Sequence, residues 1–354
     1  MTIRSASAMR VGRLARMPRR PMRSWCAALA MTAFASCFSG VAWAQESADR
    51  AGSARSVNEW LQRMHEGSRS RAYTGTLVVS AGSAMSASKI WHVCDGSQQM
   101  ERVDTLTGAP RTTIRRNSEV ITFEPSTRTA VLEKRESLGL FPDLLRMPGN
   151  SIAQRYETKE SGAQRVAGHL ADVVEIHPRD ELRFGYRVWS EQKTGLVVKL
   201  QTLDPAGRVL EQVAFSELQL DAPVSMEKLS RLMKDTRGYE VVKPTLRKTT
   251  AQAEGWRLKE DVPGFKPMSC HTREANGNPV PGQAPMQWVF SDGLASVSMF
   301  VEPFDPQRHG SEGEASMGAT HSVSRRVGEH WVTAVGEVPV PTLRRFADGL
   351  ERTR

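Results

Sequence analysis

His92 and Cys94 stand two residues apart in a run rich in β-branched and aromatic residues, 87–94. Alternate residues of a strand share a face. Imidazole and thiol would then project together, as two ligands of a metal or as a thiol–imidazole pair. A tetrahedral site wants four ligands, and no third or fourth lies nearby in sequence; ordinary strand positions account for both residues as well. His169 and His177 flank a second apolar run close to Asp180, a pattern that loop surfaces produce as readily as active sites. The eight histidines are dispersed, and the chain has no Gly-x-Ser-x-Gly elbow, no phosphate-binding Gly-rich loop, no His-Glu-x-x-His and no Cys-x-x-Cys. No catalytic residue, metal ligand or cofactor site is expected, and the chain does not read as an enzyme.

A different chemistry is better supplied. Trp91, Phe123, Phe184, Tyr186 and Phe215 sit at alternating positions of strand-like runs, where a curved sheet could gather them into an apolar cavity. Plain core packing is the competing reading. In 183–190, Phe184, Tyr186 and Val188 share one face and Arg183 and Arg187 the other, so the sheet is expected to be apolar on one side and wet on the other.

The elements that must position these residues follow from periodicity. Ser56-Val57-Asn58-Glu59 fits a capping box, and Val57, Trp60, Leu61 and Met64 recur at helical spacing behind it. From Tyr73 the period becomes two. Short runs near 74–80, 87–94, 98–106, 111–116, 120–124 and 129–134, and again at 171–177, 183–191, 195–203 and 208–218, are separated by turns such as Asp95-Gly96 and Asp204-Pro205-Ala206-Gly207. About ten residues per strand without intervening helices predicts an antiparallel meander, a large curved sheet or open barrel. Residues 221–234 read as a helix, and the basic, polar stretch 237–252 as a connection. A second unit begins near Trp256. It contains a hairpin centred on Asp292-Gly293, a loop over 303–320, a strand over 331–338 and a terminal helix opened by Pro341.

The chain has 354 residues, 48 basic and 39 acidic. Residues 1–44 hold seven arginines and no acid, so the remainder carries 41 basic against 39 acidic residues, a net charge of +2. A diffuse nucleic-acid-binding surface loses its support. The arginines precede a twenty-residue uncharged run, 24–43, that leads into Ala42-Trp43-Ala44. This is the pattern of a Sec signal peptide cleaved after Ala44, with a flexible leader over 45–55 and an exported mature chain. Cleavage would leave Cys94 and Cys270 of the four cysteines. An oxidising compartment would let them pair across the two units, and two separate thiols fit equally.

Several stretches together resemble one family. They are Tyr73-Thr74-Gly75-Thr76-Leu77-Val78-Val79, Arg165-Val166-Ala167-Gly168, His177-Pro178-Arg179-Asp180, Arg183-Phe184-Gly185-Tyr186-Arg187-Val188-Trp189 and Thr194-Gly195-Leu196. Leu210-Glu211-Gln212 with Phe215, Phe290-Ser291-Asp292-Gly293-Leu294-Ala295-Ser296-Val297-Ser298 and Val335-Gly336-Glu337-Val338-Pro339 complete the series. In this order they resemble the RseB/MucB family of periplasmic regulators of the envelope-stress sigma factor sigma-E (AlgU). The resemblance implies an α+β protein: an N-terminal LolA/LolB-like unclosed antiparallel β-barrel with internal helices, over 56–220, and a smaller mixed α/β C-terminal domain over 253–354. The helix and linker 221–252 would join them. It also implies that the chain binds the periplasmic domain of a membrane-anchored RseA/MucA-type anti-sigma factor and shields it from DegS-type site-1 proteolysis. Lipopolysaccharide or lipoprotein acyl chains would enter the apolar region and release it. Binding of the anti-sigma factor would fall largely to the C-terminal domain, for which Trp288, Phe290 and Phe300 are the candidate residues. A periplasmic lipoprotein or lipid carrier of LolA type is the alternative function.

Overall fold

Ser56 opens the first helix as its residue types demand. Its hydroxyl accepts the Glu59 N–H at 3.3 Å, and the Glu59 carboxylate takes the Ser56 N–H at 2.7 Å, so two donors that the first turn would leave unpaired are satisfied. The computed structural model describes residues 55–134, 152–273 and 284–353. The stretch expected to be a signal peptide, 1–44, and nearly all of the expected leader, 45–55, lie outside the described residues.

The helix, α1 (Val57–Arg69), is followed by β1 (Tyr73–Ala81), β2 (Ala84–Cys94), β3 (Gln99–Thr105), β4 (Thr112–Arg116), β5 (Glu119–Glu124) and β6 (Thr129–Lys134). A second series runs β7 (Tyr156–Val166), β8 (His169–Pro178), β9 (Gly185–Glu191), β10 (Val197–Leu203) and β11 (Val209–Leu220). After α2 (Met226–Lys234) come the short strands β12 (Glu240–Val242), β13 (Leu246–Lys248) and β14 (Trp256–Leu258). The chain ends through β15 (Lys266–Arg273), β16 (Met286–Ser291), β17 (Ser296–Pro303), β18 (Gly313–Met317), β19 (Thr320–Val327), β20 (His330–Gly336), α3 (Val340–Gly349) and β21 (Leu350–Arg352).

Twelve strands form one sheet in the order β12-β6-β5-β4-β3-β2-β1-β11-β10-β9-β8-β7. The chain walks outward from β1 to β6, begins again at the far edge with β7, and walks back until β11 pairs with β1. Every pairing is antiparallel except β12 on β6. The edges β7 and β12 are not paired with each other, so the sheet is an unclosed barrel. Its apolar faces receive the helices. Trp60, Leu61 and Met64 of α1 pack with Val174, Ile176, Tyr186 and Val188 of β8 and β9, and Leu229 and Met233 of α2 pack with Met100, Ile114, Ile121 and Phe123. Gly67 lets α1 approach closely: a Cβ there would lie 2.5 Å from the backbone at Gly195 and Leu196.

The second sheet has seven antiparallel strands, β13-β15-β16-β17-β20-β19-β18, with α3 packed on one face and the pair β14–β21 beside it. Both sheets lie in one compact unit, 53–354. The architecture is α+β, a large unclosed antiparallel sheet and a smaller mixed unit.

Two expectations change here. The stretch 303–320 is not all loop: 313–317 forms β18 and pairs with β19 across a turn at Gly318, whose φ of +61° suits glycine. Helix α2 begins at Met226, capped by Ser225, rather than at 221, because Pro223 stands inside the earlier stretch.

Candidate functional site

The large sheet and the small one meet through a buried polar knot. Arg183, the second residue before β9, and Asp292, in the β16–β17 turn, both have fully buried side chains and are ion-paired. The Asp292 Oδ2 also accepts the Tyr156 hydroxyl at 2.9 Å, while Oδ1 accepts the backbone N–H groups of Leu294 at 2.9 Å and Ala295 at 2.7 Å. The guanidinium goes on to donate to Asp180 and to the Pro263 carbonyl at 2.8 Å, and lies 4.7 Å from the ring centre of Phe265. A buried pair is tolerable only when its remaining donors and acceptors are matched, and here they are. Burial, the largest single influence, would lower the Arg183 pKa, but the charge and hydrogen bond of Asp292 together with Tyr156 and Asp180 raise it, and the guanidinium is held charged. Burial, then the Asp292 charge, raises the Tyr156 phenol well above its ordinary value, so it stays a donor. Gly264, at φ +81°, lies under this knot, where a Cβ would strike both Arg183 and Arg155.

Apolar and neutral contacts extend the junction. Thr342 at the start of α3 donates to the Leu182 carbonyl at 2.9 Å. His321 on β19 meets Phe184 edge-on at 5.5 Å, and Leu294 joins the cluster around α1. This is the chemistry of a clasp: it contains charges locked in register and no poised nucleophile.

Arg183 therefore corrects the expected wet face. It precedes β9, where strand alternation has not yet begun, and the second sheet covers it; Arg187, properly on the strand, remains partly exposed beside Glu175 at 2.7 Å.

The five aromatic candidates are not gathered into one lining. Trp91 is half-buried against Arg102, whose guanidinium lies 5.1 Å from the ring centre. Phe123 packs with α2 and meets Tyr239 at 5.2 Å, Tyr186 packs against α1, Phe215 meets Tyr73 at 6.1 Å, and Phe184 lies at the junction. The strand register puts Trp91 and Phe123 on one face of the large sheet and Phe215 on the other, so alternation within single strands could not gather them. Trp288 and Phe290 point to the inner face of the small sheet, where Phe290 is core against Phe346 at 4.9 Å. Phe300 lies on the opposite face and is 40% exposed.

His92 and Cys94 form no site together. The His92 ring is buried, stacked on Tyr73 at 4.8 Å and bonded at Nδ1 to the Arg71 carbonyl at 2.8 Å; burial lowers its pKa. Among the described residues no group of three or more His, Cys, Asp or Glu is placed to hold a metal. Cys94 and Cys270 are free thiols, so the bridge is not formed. They belong to different sheets, and burial followed by the Glu254 charge pushes the Cys270 thiol up to about 11.

Two cavities open beside these elements. One, of about 570 Å³, lies between α2 and the β5–β6–β12 edge, with Ile121, Leu132, Met233 and Val241 against Arg116 and Lys234. The other, of about 610 Å³, lies on the small sheet, with Trp256, Pro267, Met268, Cys270 and Trp288. Of the eight aromatic candidates only Trp288 lines either one.

Comparison with known proteins matches the same two regions. Family models described as the MucB/RseB N-terminal domain and the MucB/RseB C-terminal domain match residues 56–233 and 250–351. The chain belongs to the MucB/RseB family. It is 29% identical over 308 residues to the sigma factor AlgU regulatory protein MucB of Pseudomonas aeruginosa, covering 83% of this chain and 90% of that one. To the sigma-E factor regulatory protein RseB of Escherichia coli K12 it is 24% identical over 299 residues, 82% and 89% of the two chains. The crystal structure of MucB in complex with MucA(peri) superposes with a TM-score of 0.63 at 27% identity, over 84% of this chain and 99% of that one. In this MucB/RseB chain the knot of Tyr156, Arg183 and Asp292 joins residues from both family regions. Arg183 and Asp292 both stand in stretches that resemble the family, but nothing in the sequence pairs them.

Proposed function

We propose that the chain is a negative regulator of a sigma-E-type envelope-stress response, acting in the periplasm by binding the periplasmic domain of an RseA/MucA-type anti-sigma factor. The observation that carries this reading is likeness at length: both family regions match, and 84% of the chain superposes on a MucB crystallised with MucA(peri). Bound there, the protein shields the anti-sigma factor from DegS-type site-1 cleavage and keeps the sigma factor sequestered. Lipopolysaccharide or lipoprotein acyl chains release it by acting on the large sheet. Residues 1–44 act as the export signal. Among the described residues no helix is long and apolar enough to cross a membrane. Domain 56–220 senses, and domain 253–354 binds the partner.

The mechanism is linkage. A lipid that binds the free regulator more tightly than the complex lowers its affinity for the anti-sigma factor, and the anti-sigma factor lowers its affinity for lipid by the same factor. The test is cleavage of the host anti-sigma factor's periplasmic domain by a DegS-type protease with the purified protein present. Protection at stoichiometric protein, lost on adding lipopolysaccharide, supports the reading. Cleavage at an unchanged rate overturns it.

A further inference from the structure

His92 is a buried titratable group that the junction between the sheets does not use. Register places Tyr73, His92, Glu101 and Arg115 side by side across β1, β2, β3 and β4, on the face of the large sheet that receives α1. The Glu101 carboxylate is already matched: Arg115 donates to it at 2.9 and 3.2 Å, with both side chains more than nine-tenths buried. Arg115 donates onward to the Asn117 carbonyl at 2.9 Å. A carbonyl only accepts, so the His92 Nδ1 bonded to the Arg71 carbonyl carries the ring proton, and Nε2 is a bare acceptor. That atom is buried and has no hydrogen-bond partner among the described residues.

The one bond His92 makes holds a corner of the fold. Arg71 lies between α1 and β1, and its side chain pairs with Asp221 at 3.1 Å. Asp221 follows β11, where the chain leaves for α2. The connections of both helices that pack on the large sheet therefore meet at Arg71.

A second proton on the ring would place a cation beside Arg115 and a donor at Nε2 with nothing to accept it, a costly arrangement in a buried site. Stacking on Tyr73 attracts a cation only weakly. Burial is the largest influence and lowers the ring's pKa below the ordinary 6.5; the Glu101 charge and the Arg71 carbonyl pull it up, Arg115 pulls it down, and Gln99 has the smallest effect. Once the corner opens, the ring titrates at its ordinary value. The closed corner thus keeps its full stability above about pH 6.5 and loses it as pH falls from there toward the lowered value.

We propose that His92 is an acid-operated latch on the large sheet: a proton arriving at Nε2 frees the α1–β1 corner, and with it the connections of α1 and α2, while the small sheet stays closed. The inference goes beyond the regulator reading and does not depend on it.

The test is amide exchange of the purified protein between about pH 7.5 and about pH 5, corrected for the intrinsic rate, which gives an opening constant for each strand. At 73–75, 91–93 and 218–220 this constant should rise toward roughly tenfold per pH unit below about 6.5, the most that one proton can supply. At 296–301 in the small sheet it should stay level. His92→Gln, which keeps a side-chain donor for the Arg71 carbonyl and cannot titrate, should remove the slope at the corner. A level constant at the corner of the unaltered protein overturns the latch. An equal slope in His92→Gln assigns the acid response to other groups and overturns it too, as does an equal rise at 296–301, the mark of global unfolding. Where the urea midpoint shows that His92→Gln has not folded, titration of the ring protons in the unaltered protein decides: His92 titrating below 6.5 supports the latch, and His92 titrating at or above 6.5 overturns it.

Discussion

Asp292 accepts from Tyr156, Arg183, Leu294 and Ala295 with its side chain wholly buried. Removing one member of such a pair leaves the other charge buried and unmatched, which costs about 3–5 kcal/mol. Asp292→Ala should lower the unfolding free energy by that amount in urea, and a loss under about 1 kcal/mol would show that the knot is not the clasp described here. Glu337, half-buried at the end of β20, supplies a pH dependence. Burial and then the Glu211 charge raise its pKa above the ordinary 4.5. The folded chain thus holds a proton that the unfolded chain has released, so this group's stability contribution declines as pH rises from about 4.5 through the raised value. Glu337→Gln should make the protein more stable at neutral pH and flatten the slope of urea midpoint against pH above 4.5; an unchanged slope would refute the assignment. Neither group was legible beforehand. Alternation could place Arg183 outside, but only the second sheet could bury it.

At the scale of elements, legibility followed local signals. The capping box and apolar stripe of α1, the strands up to β6 and the Asp292-Gly293 hairpin all have residue patterns that fix them locally. β7 has none: Glu157, Lys159, Glu160 and Arg165 lie along an exposed edge, where charge guards against further pairing and erases the period of two. β15 carries Pro267 and a register shift between Pro267 and Ser269, which hid it in the same way. The α1 contact offers a test in which two effects oppose. Gly67→Ala gains about 1 kcal/mol of helix propensity, but the new methyl meets backbone at 2.5 Å, and overpacking costs about 1–3 kcal/mol. Backbone cannot rotate away as a side chain can, so the variant should be destabilised by up to about 2 kcal/mol in urea. A rise in stability would mean that α1 can slide off Gly195.

For the whole molecule, what composition and periodicity could reach was an exported protein with a large curved antiparallel sheet and a second unit. The partner came from the ordered resemblance across both units, because a binding surface built from separate elements leaves no periodic trace. The structure adds how the units are joined. A charged knot and a shared set of apolar contacts join the two sheets, and under the proposed function this junction is where a lipid on the large sheet would be coupled to a partner on the small one. The most direct measurement is the affinity of the purified protein for the periplasmic domain of the host anti-sigma factor, with and without lipopolysaccharide. Tight binding, weakened by the lipid roughly 5–150-fold, is the predicted result. No binding to the anti-sigma factor, with lipid or lipoprotein still captured, would contradict the account and make the protein a carrier.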